Sequence, residues 1–146
     1  MADGIKFQSF SLEREGPARV LGSLEAGVME IIWRRGREVT IREVWEELML
    51  SRAIAFNTVM TVMNRLVNKG LLRRETGPEA YRFFPARTRD GFVREISHRV
   101  AAGLVEDFGD QAIAPFVDAL DAAGPGYLEE LEKYIRRRKE RCEDRR

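Results

Sequence analysis

Between Leu24 and Pro85 the apolar residues hold a helical period three times and then give way to short β-like runs, an order that dictates what the chain can build. In the first stretch Leu24, Val28, Ile31 and Ile32 recur at helical intervals, Ser23 can cap the start, and Gly36 lies just past the last turn. The second opens on Thr40-Ile41-Arg42-Glu43, a capping box in which Thr40 and Glu43 satisfy each other's unpaired amides. Ile41, Val44 and Leu48 follow at helical spacing to about Ser51. In the third, Val59, Val62, Met63 and Leu66 form one stripe that opens near Ala55 and closes at Lys69-Gly70, where glycine can take the left-handed conformation of a helix end. Residues 71–76 and 80–85, rich in aliphatic and aromatic side chains, flank Gly77-Pro78 and predict a two-stranded hairpin. Three helices followed by a hairpin make a winged helix-turn-helix, so the expected fold is mainly α with a small β-hairpin wing.

Beyond Pro85 the pattern changes. Thr88 can cap a long helix carrying Phe92, Ile96, Val100, Gly103, Leu104 and Phe108 every three or four positions. Ile113, Phe116, Val117 and Leu120 predict a shorter helix around Pro115, and Leu128, Leu131 and Ile135 a last one after Gly124-Pro125-Gly126. Each helix shows a single apolar stripe and the connections are short, so a second copy of the chain is the simplest cover for them. The expected dimerisation residues are Phe92, Ile96, Val100, Leu104, Phe108, Phe116, Leu120, Leu128, Leu131 and Ile135. The expected organisation is an N-terminal extension at 1–22, a winged-helix DNA-binding domain at 23–86, a helical dimerisation region at 87–141 and a frayed tail at 142–146, the fraying reaching back toward Arg136.

Charge sharpens this reading. The net charge of +1 is unrevealing, but residues 52–94 hold nine bases against three acids, and residues 95–135 hold nine acids against Arg99 and Lys133. A middle section at +6 predicts a surface facing a polyanion. Cys142 and His98 are the lone cysteine and histidine, which excludes a disulfide, a Cys/His zinc site or a Cys/His catalytic pair within one chain. Neither a catalytic site, a metal site nor a cofactor is expected, nor a membrane-spanning segment or signal peptide, and the expected location is the cytoplasm. His98 is expected at the surface or the dimer seam, and Cys142 as an incidental thiol.

With the third stripe turned inward, the opposite face carries Asn57, Thr58, Thr61, Asn64, Arg65 and Asn68. Arginine can fork onto guanine, asparagine can bridge adenine, and the threonine methyl can touch that of thymine. Asn57, Thr58, Thr61, Asn64 and Arg65 are therefore the expected base readers, the earliest reaching deepest into the major groove. Thr40 and Arg42 at the start of the second helix, with Arg73, Arg74 and Arg82 on the hairpin, are the expected phosphate contacts. Hairpin arginines also serve to keep sheet edges from aggregating. Trp33 and Trp45, on the first two helices, are expected to pack rather than to stack on bases.

Leu24-Glu25 to Trp33, Thr40-Ile41-Arg42-Glu43-Val44, the run from Asn57 through Asn64-Arg65-Leu66 to Lys69-Gly70-Leu71-Leu72-Arg73-Arg74, and Ala80-Tyr81-Arg82-Phe83 strongly resemble the penicillinase repressor family (BlaI/MecI/CopY). The resemblance spans about Leu21 to Pro85. It implies a homodimeric repressor on a short inverted repeat overlapping its target promoter. It further implies release by cleavage at an Asn-Phe bond in antibiotic-responsive members, where this chain has Pro115-Phe116, a poor substrate because proline fixes φ and lacks the amide hydrogen. Copper-responsive members hold metal with paired cysteines near the C-terminus, where this chain has only Cys142. An unidentified protease or inducer remains the expected trigger, and the lead 7–22 lies outside the resemblance, either packed on the winged helix or disordered.

A second reading, a winged-helix module that binds proteins without sequence-specific DNA binding, stands beside the first because such folds serve both ends.

Overall fold

The computed structural model describes residues 4–146, in two compact units that divide between His98 and Arg99. The first contains α1 (Ser23–Arg35), α2 (Ile41–Met49), α3 (Phe56–Asn68), β1 (Leu72–Thr76), β2 (Tyr81–Pro85) and the opening turns of α4 (Arg89–Phe108). Together α1, α2, α3 and the hairpin form the winged helix-turn-helix.

Local chemistry sets most of the boundaries. Gly36 ends α1 at φ 65°, and Gly70 sits at φ 83° beyond α3 while the Leu71 amide donates back to the Leu66 carbonyl at 2.9 Å. Thr40 caps α2 by accepting the Glu43 amide at 3.2 Å. The reciprocal half of the capping box gives way to a stronger attraction: the Glu43 carboxylate lies 3.1 Å from Arg35 and 3.0 Å from Arg37. Ser23 is not the cap of α1 either. Gly22 holds that position in extended conformation, and its carbonyl takes the Ala26 amide at 2.9 Å. Thr88 caps α4 as expected, accepting from the Gly91 amide at 3.0 Å.

The hairpin is antiparallel, with Leu72 opposite Pro85, Arg74 opposite Phe83 and Thr76 opposite Tyr81. Its tip requires glycine at 77, since a Cβ there would stand 2.6 Å from the Ala80 carbonyl oxygen. Val39 adds a bridge that periodicity does not reveal, exchanging hydrogen bonds with Phe83 at 3.0 and 2.8 Å. Val28, Met29 and Ile32 of α1 meet Val44 and Leu48 of α2, the four stripe residues of α3, and Leu72 and Phe83 of the hairpin in one core. Each such side chain contributes about 1.5 to 3 kcal/mol by leaving water.

That core reaches further than the expected boundary at 86. Phe92 is 2% exposed, and its ring lies 5.1 Å from that of Trp33, while Ile96 is also buried. These two expected dimerisation residues are therefore covered by their own chain. The N-terminal extension packs too: Ile5 is buried, its amide donates to Glu95 Oε1 at 3.0 Å, and the Lys6 amide donates to the Lys69 carbonyl at 3.0 Å, while within the lead 7–22 Pro17 and Leu21 are buried. Lys69 is the C-cap of α3, so this bond ties the N-terminal extension to that end of the helix. Both tryptophans pack between elements, Trp33 donating to the Arg87 carbonyl at 3.0 Å and Trp45 to that of Ile54 at 2.8 Å.

The second unit holds the rest of α4, a short turn at Gly109–Ala112, α5 (Ile113–Ala123) and α6 (Tyr127–Asp144). The final helix runs on to Asp144, where a frayed tail is expected from 142. Among the described residues of this unit none is buried, and Phe116 is 56% exposed. Leu104, Phe108 and Ile135 are exposed as well, and Val100, Leu120, Leu128 and Leu131 are half-buried.

Candidate nucleic-acid interface

Because Val59, Val62, Met63 and Leu66 all face the core, 100° per residue turns Asn57, Thr61, Asn64 and Asn68 toward the opposite side of α3. Thr58 and Arg65 lie on one flank and Met60, partly exposed, on the other. Asn57, Thr58 and Thr61 are exposed together on the first half of the helix. The Thr61 hydroxyl donates to the Asn57 carbonyl at 2.9 Å, so its methyl is the group left for contact.

Besides Thr61, two more of the five expected base readers have side-chain partners within the chain. Asn64 donates through Nδ2 to the Met60 carbonyl at 3.0 Å and accepts from Arg74 Nη1 through Oδ1 at 2.7 Å. Arg65 leans toward α1, 3.6 Å from Oε1 of Glu25. That carboxylate is only 5% exposed and accepts from Lys69 Nζ at 2.7 Å. Sequence reasoning gave Glu25 no role, although its place on the buried side of α1, beside Val28 and Met29, was a legible signal.

Strand alternation separates the wing arginines. Arg74 is opposite buried Phe83 and shares its face of the hairpin with Tyr81, whereas Arg73 and Arg82 point to the other face. The Arg74 guanidinium lies over the Tyr81 ring, 4.7 Å from its centre. Arg82 pairs with Glu38 at 3.2 Å, and the Arg73 side chain makes no ion pair or hydrogen bond among the described residues. At the start of α2, Arg42 is exposed with Glu46 at 4.0 Å, and Thr40 retains a hydroxyl hydrogen to donate. Thr40, Arg42, Phe56, Ala80 and Tyr81 line a shallow groove that also runs past Ile41.

No group of three or more His, Cys, Asp or Glu side chains is placed to hold a metal among the described residues, and no described helix is long and apolar enough to cross a membrane.

Residues 21–137 match the family model described as penicillinase repressor. The chain is 36% identical over 104 residues to the transcriptional regulator BlaI of two Mycobacterium tuberculosis strains, covering 70% of this chain and 75% of that protein. Among solved structures, the monomeric form of Bacillus licheniformis BlaI in complex with a half-operator is 25% identical, with 50% of this chain and 85% of that one aligned at a TM-score of 0.41. The complex structure of hsRosR-S1 is 18% identical, with 70% and 93% aligned at a TM-score of 0.42. The chain thus belongs to the penicillinase repressor family, a family of transcriptional regulators rather than enzymes.

Proposed function

We propose that the chain represses transcription as a homodimer bound to an inverted repeat in double-stranded DNA. The observation that carries this reading is the exposed cluster of Asn57, Thr58 and Thr61 on α3, which no other part of the first unit covers. These three side chains read base edges in the major groove. Thr40 and Arg42, at the start of α2, and Arg73 and Arg82, on the outer face of the wing, grip phosphates and fix register. Arg65 anchors α3 to α1 through Glu25, so its contribution to binding is through position.

The second unit supports the dimer. A set of helices without one buried residue has not completed its core, and self-complementary apolar stripes close around a two-fold axis. Val100, Leu104, Phe108, Phe116, Leu120, Leu128, Leu131 and Ile135 form that seam. Action on DNA places the protein in the cytoplasm. Release runs through a ligand or a protease that does not require asparagine, since Pro115 stands in the first turn of α5 before Phe116.

Membership of a repressor family favours this reading over a protein-binding module. Salt tests it. Affinity for duplex DNA, followed by fluorescence anisotropy, should fall linearly in log K against log salt with a slope of about −0.9 per phosphate contacted. A protein that ignores duplexes at low ionic strength, or whose affinity is flat in salt, does not act this way.

A further inference from the structure

Arg74 belongs by its neighbours to the recognition helix rather than to the outer wing. It shares a hairpin face with Phe83 and Tyr81, and that face looks toward the helices. Its guanidinium is fixed from two directions: Asn64 Oδ1 accepts from Nη1 at 2.7 Å, and the Tyr81 ring lies beneath Cζ at 4.7 Å. Asn64 is itself held, since its Nδ2 donates to the Met60 carbonyl at 3.0 Å. With one Nδ2 hydrogen and one Oδ1 lone pair engaged, the Asn64 amide is fixed in orientation and holds Arg74 in place. Nη2 and Nε of Arg74 have no partner among the described residues.

Phosphate attraction needs a positive charge and tolerates a mobile one. A planar fork held by a hydrogen bond on its edge and an aromatic ring on its face serves a different purpose, because bidentate recognition of guanine O6 and N7 depends on the orientation of two parallel N–H groups. We infer that Arg74, positioned by Asn64 and Tyr81, is a specificity-determining residue that reads a guanine in each half-site. This inference rests on the DNA-binding reading above. It divides adjacent arginines between two tasks, Arg74 selecting sequence and Arg73 holding backbone.

Arg74→Lys decides the matter, because it keeps the charge and removes the fork. Bound duplexes are selected from a random pool with the full-length wild type, Arg74→Lys, Asn64→Ala and Arg73→Lys. The wild type should enrich an inverted repeat with a fixed guanine in each half. Arg74→Lys should lose preference at that base pair by about ten-fold while keeping the rest of the motif. Asn64→Ala, where Asn64 is the positioning residue, should loosen the same base pair and no other, and Arg73→Lys should leave the motif intact. If Arg74→Lys retains every preference, the inference is overturned and the DNA-binding reading stands. If the wild type enriches no motif, both are overturned.

Discussion

Lys69 Nζ lies 2.7 Å from Oε2 of Glu25, joining the end of α3 to the first turn of α1 through a carboxylate that is almost wholly buried. A buried charge is tolerated only with its partner, and the remaining cation, Arg65, is more distant at 3.6 Å and 55% exposed. Lys69→Met should therefore lower unfolding stability by about 2 kcal/mol, less than the roughly 3 to 5 kcal/mol of a fully buried pair because Lys69 is itself partly solvated. Urea unfolding measures it. Arg65→Ala should cost under about 1 kcal/mol, as exposed pairs do.

Asn57 is exposed and has no tertiary role, so its removal should be felt only on DNA. Asn57→Ala should weaken the selected site by about 1 to 3 kcal/mol and leave random duplexes nearly unaffected. Equal losses on both, in competition binding, would remove it from the base readers.

Arg73 is a free cation on the outer face of the wing. Arg73→Ala should weaken all duplexes alike and flatten the slope of log K against log salt by about 0.9, one phosphate's worth. Arg82→Ala should do less, because Glu38 already neutralises part of its charge.

Two phenylalanines should behave in opposite ways. Phe116→Asp, on the uncovered stripe of α5, should yield monomers in sedimentation analysis without unfolding the first unit. Phe92→Ala, inside that unit against Trp33, should lower stability by about 3 to 5 kcal/mol.

The contrast between Phe92 and Phe116 also marks where sequence reasoning stops. Phe92, Ile96, Val100 and Leu104 continue one spacing along one helix, and periodicity cannot tell which half the chain covers itself. Features set by neighbours in sequence, such as the Thr40 and Thr88 caps, the Gly36 and Gly70 ends and the hairpin around Gly77, were legible because their chemistry is local. The Val39 bridge and the engagement of Asn64 by Arg74 each join separate elements and leave no local mark, and of the Glu25 cluster only the burial of Glu25, not its partners, was legible. Ser23 failed as a cap for the opposite reason. Glycine is also suited to that position, and the helix started one residue earlier than the serine required.

The bond from the Lys6 amide to the Lys69 carbonyl closes a loop across nearly half the chain, and such closures cost entropy that local turns do not. A contact of such sequence separation should form late in folding. Deuterium should reach the Lys6 amide well ahead of the amides inside α3, and anything that tugs on the first few residues would be felt at the rim of the groove-facing helix.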